Sequence, residues 1–136
     1  MKQSTISYLR NELDFDKDDI KEARLSAIKH DDFEVNDYRF IEDSVISDIH
    51  EDEIGSDLYL LGSFSASFLS TVTNIPYSAF QALQKAEAFE EIGEMVEEFV
   101  PEIAEEYARL DGYGHHFAHY DGHGHEVDDW HIFRVN

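Results

Sequence analysis

Residues 86–109 read AEAFEEIGEMVEEFVPEIAEEYAR, with nine glutamates and one cation, Arg109, at the far end. Plotted at about 100° per residue, Glu87, Glu91, Glu94 and Glu98 fall within about 60° of arc. Glu90 and Glu97 flank that stripe, while Ala88, Ile92, Met95, Val96 and Phe99 occupy the other face. The spacing predicts an amphipathic helix with an apolar seam to bury and a carboxylate stripe to expose. Like charges one turn apart cost a few tenths of a kcal/mol each. Helix stability alone would interleave Glu with Lys, so this face is read as shaped by something else.

The charge extends beyond this stretch. The chain has 136 residues and a net charge of -21, from 31 acids against 10 bases. Residues 1–54 contribute 16 acids and 7 bases, residues 55–110 contribute 10 and 2, and residues 111–136 contribute 5 and 1, so no single tail is responsible. Such a field repels nucleic acid and anionic lipid and attracts basic surfaces. Direct DNA or RNA binding, which draws most of its affinity from phosphate contacts, is not expected on this ground. With 42% apolar and 13% aromatic residues there is enough material for one hydrophobic core, and the chain is expected to form a single domain over 1–136. Cysteine is absent, which excludes disulfides and thiolate metal sites and suits the reducing cytoplasm. The opening MKQSTISYLRNELDFD lacks a signal-peptide core, and the longest apolar stretch, 58–69, is interrupted by Gly62, Ser63, Ser65 and Ser67 and is too short to span a bilayer.

In order along the chain, Ser4 or Thr5 is expected to cap a short helix to Leu13, and Asp16 or Asp18 a second helix to about Lys29. Residues 33–37 read as a connector or brief strand. Tyr38, Ile41, Val45 and Ile49 recur at helical spacing over 37–53, opposite a second acidic face of Glu42, Asp43, Asp48, Glu51 and Asp52. Ser56 or Asp57 caps a buried helix over 58–72, where Gly62, Ser65 and Ala66 are small enough for neighbours to approach closely. Pro76 opens the next helix, Pro101 marks a break, and Gly112 ends the helical body, 1–112. The remainder, 113–136, is rich in His, Gly and aromatics. It reads as two strands, HHFAHYD and EVDDWHIFRV, around a turn at 121–124. The predicted class is α+β: five or six helices with a small C-terminal antiparallel ribbon.

Two constellations carry chemistry. Carboxylates one helical turn apart are spaced by about 5.4 Å, within a factor of two of the phosphate interval along a nucleic-acid strand. A rigid row of them suits the basic groove of a nucleic-acid-handling protein; the competing reading is a solvated, solubility-promoting surface or adaptation to high salt. The magnitude of the charge, its spread and a lysine count of only five favour a basic partner. The second constellation is histidine, with six of eight in the last 22 residues. His119, His123, His125 and His131 are the alternative metal set, for Zn, Ni or Fe, in a His-dependent metalloprotein or hydrolase. No HExxH spacing, phosphate loop, nucleophile elbow or dinucleotide fingerprint is present, so neither an enzyme nor a cofactor is expected.

In its composition and its acidic helices, 87–106 above all, the chain resembles the small acidic antirestriction and anti-CRISPR proteins of phages and plasmids. That resemblance implies a stoichiometric inhibitor that blocks the nucleic-acid site of a host nuclease or CRISPR complex, without direct nucleic-acid or membrane binding. The residues expected to contact the partner are Glu87, Glu90, Glu91, Glu94, Glu97 and Glu98, extended by Glu42, Asp43, Asp48, Glu51 and Asp52.

Overall fold

The computed structural model describes residues 1–136. In chain order the elements are α1 (Gln3–Asn11), α2 (Lys17–Lys29), β1 (Asp32–Val35), β2 (Tyr38–Glu42), α3 (Ile46–Gly55), α4 (Leu58–Ser63) and α5 (Ala66–Thr73). Then follow α6 (Tyr77–Lys85), α7 (Phe89–Met95), a 3-10 turn (Glu97–Phe99), α8 (Val100–Asp111), α9 (Tyr113–Phe117), β3 (Gly124–Val127) and β4 (Trp130–Arg134). The α+β class stands, with nine α-helices in place of five or six and four strands in place of two. The chain divides into two compact units, Met1–Ser47 with Asp111–Asn136, and Asp48–Leu110.

The first unit is built on an antiparallel sheet of order β1-β2-β4-β3. The C-terminal ribbon is thus half of a larger sheet, completed by β1, in the segment read as a connector or brief strand, and by β2, which the helical spacing of Tyr38, Ile41 and Val45 had placed in a helix. β2 is covered on both faces, with adjacent Phe40 and Ile41 both buried, so it shows no period-2 alternation to set against the helical spacing; Glu34 and the turn residues Asn36 and Asp37 are exposed. Asn36 makes the turn at φ 59, a conformation asparagine tolerates. The ribbon's own turn is also displaced from 121–124. It falls at Asp128-Asp129, with Asp128 at φ 56, and the expected strand 115–121 gives way to α9. One sheet face carries Phe40, Trp130 and Ile132 into a core with Leu9, Phe15 and Ala23 of the N-terminal segment. On the other face, Phe117 of α9 lies 5.2 Å from the Phe133 ring. Arg39 sits above Phe117 at 5.0 Å and grips Asp32 with two hydrogen bonds of 2.8 and 2.7 Å.

Asp16 caps α2 as expected, in a reciprocal box with Asp19. Ser4 and Thr5 do not cap α1, whose N-cap is Lys2. Their hydroxyls instead donate to Asp128 Oδ2 at 2.6 and 2.5 Å, tying α1 to the β3–β4 turn. These bonds, that from Ser4 foremost, hold the Asp128 carboxyl below its usual range. A carboxyl with a depressed folded pKa adds stability above the ordinary Asp value of about 3.9, and the gain is lost as pH falls through the folded pKa. Asp128→Asn keeps the left-handed turn and removes only the charge. Its urea midpoint is expected below wild type at pH 7, the gap closing toward pH 2. A gap independent of pH would show that the carboxylate is not the source.

The second unit is helical, with a core of Ile54, Leu61, Leu69, Phe80, Ile92 and Ile103. The helix expected over 58–72 is two. Phe64 and Ser65 are extended, and Ser65 Oγ caps α5 by accepting from Phe68 N at 3.1 Å. Gln84 Nε2 donates to the Gly62 and Phe64 carbonyls at 3.0 and 2.6 Å, satisfying groups exposed where α4 ends. Asp57 caps α4, accepting from Leu60 N.

Candidate functional site

The acidic stretch does not form one helix. Glu87 stands at φ 58 in the turn that closes α6. Ala88 N–H bonds Leu83 O and Glu87 N–H bonds Gln84 O, both at 2.9 Å, which is the Schellman pattern with a glutamate where glycine is usual. Further on, Pro101 has no N–H to offer the Glu97 carbonyl, and its ring crowds that carbonyl. The backbone accordingly leaves the α-helix after Met95, makes the turn Glu97–Phe99 and restarts at Val100. The predicted 60° stripe through Glu87, Glu91, Glu94 and Glu98 is therefore replaced by three short acidic segments. Glu90, Glu91 and Glu94 lie exposed on α7, opposite buried Ile92 and Val96, and Glu97 and Glu98 are exposed in the 3-10 turn.

Folding brings together what helical spacing did not. Glu51 and Asp52 of α3 and Glu97 line one shallow groove, floored by Gly55, Val100 and Pro101. Thr71, Val72, Glu102, Glu105 and Glu106 line a second. Asp48 is exposed in the first turn of α3. This unit holds fourteen acids against two cations, Lys85 and Arg109. Arg109 is already paired with Glu106, whose carboxyl that hydrogen bond holds below its usual range. The remaining predicted contact residues, Glu42 and Asp43, belong to the sheet unit, where Glu42 accepts from Ser44 Oγ at 2.6 Å.

The histidines do not converge as a set. His119 follows α9 and is exposed, and His123 lies in the loop before β3, its N–H on Asp121 Oδ1 at 3.0 Å. His125 pairs with Ile132 across the ladder and faces Tyr8, with rings 6.1 Å apart, while Glu126 pairs with His131 on the opposite face. Successive strand residues alternate faces, so His125 and His131 cannot meet. His131 meets carboxylates instead: its Nε2 lies 2.7 Å from Asp43 Oδ1 and 3.7 Å from Glu126 Oε1. Asp43 was read only as part of an acidic helix face. No spacing within 115–131 could have paired it with His131, because β2 and β4 create that contact. Gly114 permits the close approach of α9 to β3, since a Cβ there would stand 2.5 Å from Gly124 N.

No helix is long and apolar enough to cross a membrane. Comparison with known protein families, curated sequences and solved structures finds no match to this chain.

Proposed function

We propose that this protein is an acidic binder that occupies a basic, nucleic-acid-binding surface on another protein, and that its helical unit makes the contact. The observation that carries the reading is the imbalance in that unit, fourteen carboxylates against two cations. Short helices packed on a shared core hold those charges in place, and that core is buried by Ile54, Phe80, Ile92 and Ile103. A preorganised anionic surface gives fast association and strong discrimination between partners, and its attraction is screened by salt. Because the acidic stretch is broken into three pieces, the proposed contact is a patch centred on Glu51, Asp52 and Glu97, and not a linear row matched to phosphates; the exposed Glu90, Glu91 and Glu94 of α7 add to the charge of the same unit. In keeping with the compositional resemblance, the partner class is a nuclease or CRISPR-type defence complex, met in the host cytoplasm.

The test is competition. A protein captured from the source cells by the intact chain is challenged with duplex DNA, single-stranded RNA and rising salt. Nucleic acid should displace the chain, and affinity should fall steeply with ionic strength. Glu51→Lys/Asp52→Lys/Glu97→Lys should lose binding by at least tenfold while keeping its far-UV circular dichroism. Equal binding by the reversed variant, or a complex indifferent to nucleic acid, would defeat the proposal and leave the charge as a solvated surface.

A further inference from the structure

We infer that His131, Asp43 and Glu126 form a binding site for one divalent transition metal of the Zn2+ class. One ligand atom from each lies within 4.8 Å of the other two. Ligands about 2.1 Å from a common ion stand roughly 3–4 Å apart, so small side-chain rotations bring the three into range. Asp43 and Glu126, with side chains 62% and 66% exposed, are free to make them.

The imidazole is the fixed member. His131 is hydrogen-bonded into the sheet between Ile41 of β2 and Glu126 of β3. Its ring is 13% exposed, lies parallel to Phe133 at 6.3 Å and meets the edge of Tyr113 at 5.9 Å. Asp43 is positioned by its own N–H, which donates to Asp129 O at 2.8 Å. β3, β4 and the turn after β2 therefore bring one nitrogen and two oxygen ligands together from fixed backbone positions, while the two carboxylates keep the freedom to close on an ion. The cleft between α9 and β3, walled by Tyr113, Gly114, His123 and Gly124, opens onto His131 and Glu126. It leaves room for water, an added ligand or His123 at the remaining coordination positions. An imidazole with two carboxylates suits Zn2+ and its first-row neighbours; Ca2+ and Mg2+ prefer oxygen alone.

This site belongs to the sheet unit, shares no residue with the proposed basic-partner surface and is tested without it. Untagged full-length protein is titrated with Zn2+ and, separately, with Ca2+ by calorimetry. Wild type should bind one Zn2+ at micromolar concentration and bind Ca2+ at least tenfold more weakly. His131→Ala and the double variant Asp43→Asn/Glu126→Gln should each weaken Zn2+ binding tenfold or more, whereas His119→Ala and His125→Ala should leave it unchanged. The double variant alters only exposed groups, so it decides the matter even where His131→Ala fails to fold. Absence of Zn2+ binding by wild type, unchanged affinity in the double variant, loss of affinity in His119→Ala or His125→Ala, or Ca2+ binding as tight as Zn2+ would overturn the assignment.

Discussion

Gly93→Ala and Gly62→Ala are each expected to destabilise the helical unit by about 3 kcal/mol or more, at or beyond the upper end for overpacking. Helix propensity points the other way, since alanine in place of glycine in a helix interior gains about 1 kcal/mol. The structure decides the sign. A Cβ on Gly62 would stand 1.8 Å from Phe89 O, and one on Gly93 would stand 2.2 Å from Leu58 O. The obstructing atoms are backbone, which cannot rotate aside as a side-chain tip can. The two pairs, 58 with 93 and 62 with 89, set α4 and α7 antiparallel with their backbones in contact. An added methyl must push the helices apart and uncouple Leu61 and Ile92 from the core they share. Thermal melts followed at 222 nm measure the effect, and a melting point equal to or above wild type in both variants would contradict this packing.

Phe40→Ala should cost about 3–5 kcal/mol, the usual range for emptying a fully buried phenylalanine site. Phe40 is 0% exposed on β2, one of the two inner strands. Its ring stacks on Phe33 at 4.9 Å and meets the edges of Phe15 at 6.2 Å and Trp130 at 6.4 Å. Little can move into the void, because β1 and β4 hold two of the three neighbouring rings, Phe33 and Trp130, in register. Trp130 is the only tryptophan and is 7% exposed, so its fluorescence reports this core directly. Denaturant unfolding read at Trp130 should show the midpoint falling in Phe40→Ala. A shift below about 1 kcal/mol would mean that the aromatic cluster is looser than its ring geometry indicates.

Much of the local structure could be read from the residues. The box at Asp16, the cap at Asp57, the restart near Pro101 and the stop at Gly112 follow from hydrogen-bonding and steric rules that act within four residues. The small size of Gly62 announced a close approach, although not to which partner. Gly93 gave no such signal, hidden among glutamates. The largest error came where a helical spacing ran through a strand buried on both faces. Tyr38, Ile41 and Val45 fit a helix, but residues 38–42 pair with both β1 and β4, and that pairing buries Phe40 on one face and Ile41 on the other. Local spacing does not contain the energy of partners far along the chain.

The same division applies to the candidate sites. Sequence alone determined that the molecule is strongly anionic, that its acids are spread along the whole chain and that its histidines crowd the C-terminus. These properties are sums over residues and are indifferent to conformation. Only tertiary structure decided that the acidic stretch also breaks at Glu87, and that Glu51 and Asp52 come beside Glu97. It also decided that His131 meets Asp43 and Glu126 in place of the other imidazoles. Charge is carried by each side chain wherever it lies, whereas a binding geometry exists only once separate segments have been packed against one another.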